Sequence, residues 1–237
     1  MVNGLINNKQ LDFIEYLLSF YRRGEKKLPS IADIADDLGI SIPNVREQLA
    51  IAKHMGLVTI QPRKGIAILP YDFSHAVSTS LYFAARSNYK YFKQYSDLRN
   101  QIEKAYFEKA ASRLAKADLD DIFTIVDKAI SRLNGNPIRI PHQEHKLFHL
   151  TIYKNLDNVF IDGLLDAYWN MYEMVGLNTY ADIDYLQIVW KYHQNIAIAI
   201  VDGEIHQAYQ LLEDHIELLK EREQNQWSNG DTNDEDK

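Results

Sequence analysis

The spacing of apolar residues over the first seventy positions is helical three times and then alternating. In "LDFIEYLLSFYRR", Leu11, Ile14, Leu17, Leu18 and Tyr21 recur at intervals of three and four, which predicts an amphipathic helix stopped at Gly24. "LPSIADIADDLG" predicts a short second helix, with Ser30 and Asp33 at capping-box spacing and Gly39 as its end. "ISIPNVREQLAIAKHMG" predicts a third, with Ser41 at the N-cap, Pro43 in the first turn and Val45, Leu49 and Ala52 facing inward. In "LVTIQPRKGIAILP" two short β-branched runs flank "PRKG", the pattern of a hairpin. Three helices and a hairpin make a winged helix-turn-helix over residues 1–70.

From Tyr71 onward strand signals vanish. Helical periods cover about 73–88, 91–114, 118–134, 141–154, 157–177, 182–202 and 204–223, with breaks such as "NGNP" and "VDGE". Residues 71–224 are therefore expected to form an all-α bundle, followed by an acidic polar tail over 225–237. The fold class is mainly α.

Composition changes this picture in three ways. A hydrophobic content of 46% supports real cores, and no apolar run reaches the length of roughly 18 residues that a membrane helix needs. The start, "MVNGLINNKQLDF", lacks the pattern of a secretory signal, so the expected location is the cytoplasm. Cys is absent, which leaves His and carboxylates as the ligands for any transition metal. The net charge of −7 is uneven: residues 1–70 carry nine Lys/Arg against seven Asp/Glu, and the remainder seventeen against twenty-six. A weakly basic front on an acidic body suits a protein that meets DNA through one small module.

Within that module the exposed first turn of the third helix offers Ser41, Ile42, Pro43 and Asn44, and Arg46 points outward between Val45 and Leu49. Arg can grip guanine bidentately, Asn can read adenine, and Ile can touch only a thymine methyl. Arg63, Lys64 and Gly65 form the hairpin tip, where cations meet phosphates and Gly permits close approach. Arg22, Arg23, Lys26 and Lys27 are either backbone contacts or a solvated helix end. The competing reading of Arg46 is a solvated surface charge.

In the bundle, "HKLFH" places His145 and His149 on one helix face. His193 shares an apolar face with Leu186, Val189 and Ile200, and His215 one with Ala208, Leu211 and Leu219. Four His on three helices thus point inward, either as core residues satisfied by carbonyls or as ligands of Zn²⁺, Ni²⁺ or Cu²⁺. A zincin-type protease needs Glu after the first His, and this chain has Lys146. No acid/base carboxylate stands at motif spacing, so hydrolysis at a His-bound metal is the weaker alternative.

The stretch from Leu28 to Leu69 resembles the DNA-binding domain of the GntR family of bacterial transcription regulators. Two common Arg positions of that family are occupied by Ala32 and Ile42, and its Thr-Pro by Pro43-Asn44, which implies an operator without the usual G opposite Ile42. The helical remainder resembles the FCD effector domain of the FadR subgroup. "LRNQIEKAYFEKAA" is similar to the family's Arg-x-x-Leu-Glu helix, and the stretch from His193 to His215 reproduces its spacing of two His around an "AI..GD" turn. In that family the two His join an Asp and a further His around one divalent metal. His149 matches the family His, and His145 stands where the Asp belongs. The resemblance implies a homodimeric regulator, not an enzyme, expected to be a repressor on a palindromic duplex operator. It implies a divalent metal, Zn²⁺ or Ni²⁺, at His145, His149, His193 and His215, and a small carboxylate effector held by Arg99. Arg99 could instead form an internal salt bridge. A metal-free regulator binding an acyl ligand is the other alternative.

Overall fold

The computed structural model describes residues 8–174 and 182–228, with side chains over 12–174 and 182–218. The chain divides into two compact units, residues 1–79 and 80–237.

The first unit contains α1 (Asn8–Arg22), α2 (Ile31–Leu38), α3 (Ile42–His54) and three strands: β1 (Lys27–Leu28), β2 (Val58–Gln61) and β3 (Gly65–Ile68). The strands form an antiparallel sheet in the order β1-β3-β2, with Val58 opposite Ile68 and Leu28 opposite Ile66. Sequence periodicity does not reveal β1, because two residues are too few to show alternation. The capping box forms as expected: Ser30 Oγ accepts from the Asp33 N–H at 3.2 Å, and Asp33 returns the bond to the Ser30 N–H at 3.2 Å. Gly39 closes α2 in the left-handed conformation, φ 63°.

The core of this unit joins Phe13, Leu17, Ile34, Val45, Leu49, Ala52, Val58 and Ile66. The inward positions of α3 are those its period predicts. On α1 the buried face centres on Phe13 and Leu17, with Tyr16 and Phe20 packed beside it, whereas Tyr21 is exposed. That moves the helix by part of a turn from the expected stripe; the side chain of Leu11 lies outside the described residues. Ser41 occupies the N-cap of α3 with extended backbone but makes no side-chain capping bond.

α4 (Phe73–Ser87) crosses the division between the units. The second unit continues with α5 (Tyr89–Ala111), α6 (Lys116–Leu133), α7 (His142–Tyr153), α8 (Val159–Met174), α9 (Ile183–Val201) and α10 (Ile205–Ser228). α10 runs four residues into the stretch expected as tail, and residues 229–237 lie outside those described. Asn88 caps α5 by accepting from the Lys90 N–H, and Asp182 caps α9 by accepting from the Asp184 N–H. After α7 a single 3-10 turn ends at Asp157, whose φ of 53° requires a residue tolerant of the left-handed region.

α9 packs on α10 and α6, and α5 on α7, α8 and α10. Phe107, Ile122, Val126, Phe148, Ile152, Leu165, Trp190, Ile196, Leu212 and Ile216 form the centre of the bundle. Among the described residues no helix is long and apolar enough to cross a membrane.

Gly56, between α3 and β2, has φ +72°, and a Cβ added there would lie 2.7 Å from Cβ and Cγ of His75. Neither atom is the free end of a side chain, so the backbone would have to move. Gly56→Ala should lower stability by about 2 kcal/mol or more, measured as a shift in urea midpoint at unchanged m-value.

Candidate metal centre and nucleic-acid face

Three helices aim imidazoles at one point. α7 contributes His145 and His149, α9 His193, and α10 His215; one ring nitrogen from each lies within 4.8 Å of the others. His145 is 8% exposed and the other three are 0% exposed. His149 Nε2 and His193 Nε2 are 3.3 Å apart, close to the ~3.3 Å between two nitrogens bound at ~2.0–2.1 Å around a tetrahedral Zn²⁺.

A core histidine is ordinarily satisfied by a carbonyl. Here His145 Nε2, His193 Nδ1 and both nitrogens of His215 are buried without a hydrogen-bond partner among the described residues. Buried ring nitrogens that no protein group satisfies, beside four imidazoles that converge, suit a cation better than packing alone. The cluster could hold a metal ion. Burial first, then the neighbouring imidazoles and the Arg99 guanidinium, holds His145 well below the ordinary histidine range. Burial also holds His193, His215 and His149 well below it, so all four rings are neutral near pH 7, the form a metal requires.

α5 supplies the surroundings of this cluster. Arg99 is 2% exposed. Its Nη2 donates to His149 Nδ1 at 2.9 Å and its Nη1 to Asn100 Oδ1 at 3.0 Å. The guanidinium carbon lies 5.0 Å from the Tyr168 ring centroid and 5.2 Å from that of Trp169. Nη2 is also 2.9 Å from Glu103 Oε1, so the internal ion pair considered from sequence is present. Glu103 is fully buried and its Oε1 is 3.2 Å from His149 Nδ1. Burial raises its carboxyl to about 7 against the opposing pull of Arg99 and His215.

Glu103 was not singled out from sequence. Its signal was the i, i+4 spacing from Arg99 in "LRNQIEKAYFEKAA", which places both on one face of α5. What the spacing could not tell was that this face turns into the bundle.

In the first unit, Ser41, Ile42 and Pro43 are exposed at the start of α3, Asn44 is half-buried and Arg46 is exposed one position beyond buried Val45. Arg63, Lys64 and Gly65 form the hairpin tip. The Lys64 N–H donates to Gln61 C=O at 3.1 Å, with Pro62 and Arg63 between them. Arg63 holds φ 66° and Gly65 φ 86°; the left-handed conformation is ordinary for glycine and strained for arginine. Arg22 and Arg23 instead reach Glu15 at 3.7 Å and Glu25 at 2.6 Å. Lys27 lies in β1, opposite Ala67.

Residues 94–218, more than half of the chain, match the model of the FCD domain family. The chain belongs to the GntR family of transcription regulators, in the subgroup with an FCD domain. It is a regulator and not an enzyme. A GntR protein from Streptococcus agalactiae has a similar solved structure, with a TM-score of 0.64 at 16% identity over 90% of this chain and 99% of the other. The E. coli protein McbR/YncC superposes with a TM-score of 0.52 at 15% identity, covering 94% of this chain and 100% of its own. These likenesses concern the fold. No curated protein matches the sequence. The FCD match contains all four His together with Arg99 and Glu103.

Burial of four neutral imidazoles makes the metal-free protein sensitive to acid. Each has a folded pKa below its unfolded value near ~6.5, so its stabilising contribution is complete above that value and is lost as pH falls. Glu103, raised to about 7 from 4.5, acts in the opposite sense, its contribution being lost as pH rises across that interval. Up to four protons are taken up on unfolding against one released. In the presence of chelator, stability should therefore fall between pH 7 and 5 by up to about 4 kcal/mol per pH unit. Urea unfolding followed at pH 7, 6 and 5 checks this, and a flat profile contradicts neutral buried imidazoles.

Proposed function

We propose that this FCD-domain regulator is a cytoplasmic homodimeric repressor whose operator affinity is set by a small carboxylate at a His-coordinated metal. The observation that carries the reading is the convergence of His145, His149, His193 and His215 within 4.8 Å inside the bundle. These donors favour Zn²⁺ or Ni²⁺, and a bound ion there would supply Lewis acidity toward an anion. Because the four ligands are neutral and Arg99 is balanced by Glu103, nothing in this cluster neutralises the charge of a divalent ion. A carboxylate effector, engaged also by Arg99, meets that need.

The DNA-facing residues are Ser41, Ile42, Pro43, Asn44 and Arg46 at the start of α3, with Arg63, Lys64 and Gly65 on the wing. Each subunit presents one such module to half of a palindromic duplex operator. Exposure of Arg46 beside buried Val45 supports a base contact from the recognition helix. The strained backbone at Arg63 supports a functional wing tip, since the position favours glycine. An effector that binds one form better than the other must change DNA affinity reciprocally.

Arg46→Ala should weaken binding to an operator selected from random duplex DNA by about 1–3 kcal/mol, read by fluorescence anisotropy at fixed salt. Unchanged affinity would remove Arg46 from the base contacts. His193→Ala should lower both metal content and effector response while DNA binding persists. Protein prepared without chelator that holds no metal, and gains no thermal stability from Zn²⁺ or Ni²⁺, would return the metal-free, acyl-binding alternative.

A further inference from the structure

Beside the four imidazoles, Nε of Arg99, Oγ of Ser96 and Nε1 of Trp169 are also buried without a hydrogen-bond partner among the described residues. Ser96 is 5% exposed, and Arg99 and Trp169 are each 2% exposed. Ser96 and Arg99 lie one turn apart on the same face of α5. Trp169, on α8, joins them to the cluster. Its ring centroid is 5.2 Å from the Arg99 guanidinium carbon, 4.6 Å from the His145 ring and 5.1 Å from the His149 ring. Tyr95, by contrast, donates its hydroxyl to Leu164 C=O at 2.8 Å. Nη1 and Nη2 of Arg99 already meet Asn100, His149 and Glu103, which leaves Nε as the guanidinium nitrogen without a partner.

The Arg Nε–H and the indole N–H can only donate, and the Ser hydroxyl can donate as well as accept. Each buried donor without an acceptor costs stability, and folded proteins seldom keep several in one neighbourhood without a use. We propose that Arg99 Nε, Ser96 Oγ and Trp169 Nε1 form an oxygen-reading half of the effector site, and that the molecule it accepts is a small carboxylate with a second oxygen function, a dicarboxylate or a hydroxy acid. The carboxylate engages the four-His centre and Arg99 Nε. The second oxygen function accepts from Ser96 Oγ and Trp169 Nε1. A plain acyl chain has no atom to offer these two donors and would bury both unpaired. It is rejected for the same reason that a site built around a hydroxyl rejects the analogue lacking one.

The inference rests on the reading of a small carboxylate beside Arg99, and the experiment separates the two. The zinc content of full-length protein is measured after Zn²⁺ addition, and malonate and propanoate are then titrated by calorimetry. They share a carbon chain, and only malonate brings a second carboxylate. Wild-type protein should bind malonate about 10–100-fold more tightly than propanoate. Since a second carboxylate also favours a metal, the deciding quantity is this ratio in variants. Ser96→Ala and Trp169→Phe each delete one donor, and each should weaken malonate about 10-fold while leaving propanoate unchanged. A packing defect would weaken both anions alike. A ratio that stays at the wild-type value in the folded variants overturns the inference alone, as does equal binding of the two anions by the wild type. Binding of neither anion overturns the carboxylate reading and this inference with it. A Ser96-dependent preference for malonate in protein that holds no zinc overturns the metal and supports the subsite. Where Trp169→Phe fails to fold, Ser96→Ala decides.

Discussion

The buried contact between Arg99 and Glu103 is the constraint on which the second unit depends. Two charges removed from water are tolerated only when they meet each other and find further hydrogen bonds. Here the guanidinium finds Asn100, His149 and two aromatic faces, and the carboxylate finds the guanidinium. The same positive charge discourages protonation of the imidazoles around it. A cluster of four histidines, which water would leave half-charged below pH 7, is kept neutral by burial and by this neighbour. α5 therefore adds, after burial, to what keeps residues on α7, α9 and α10 neutral.

That arrangement also explains how a small ligand can matter to a large bundle. The four imidazoles come from three helices that otherwise meet through apolar packing, and packing is indifferent to which solutes are present. Polar groups without partners are not indifferent. Each unsatisfied nitrogen in the cluster is a stability deficit that a bound species can remove, and binding energy of this kind is shared among all the helices that supply ligands. In the first unit the corresponding polar groups are outside. The start of α3 and the hairpin tip project from an apolar core without taking part in it, so their residues can change while Val45, Leu49 and Ile66 keep the scaffold.

The sequence by itself determined most of the architecture. Period, caps and turn residues were enough for the helix-turn-helix, the wing and the order of bundle helices, because each of those signals acts between residues within a few positions. The four histidines were legible for the same reason, since the face of a helix on which a residue lies follows from its neighbours. Local signals failed where the partner is distant. The two residues of β1 are a strand only because β3 lies beside them. The buried face of α1 shifted toward Phe13 because α2, α3 and the sheet chose it. Glu103 looked like one of many acidic residues on an acidic domain until α5 was packed against α7. Tertiary structure alone decided that its carboxylate, Arg99 and His149 share one dry space, because burial and the direction of a hydrogen bond are properties of the surroundings of a residue and not of its place in the chain.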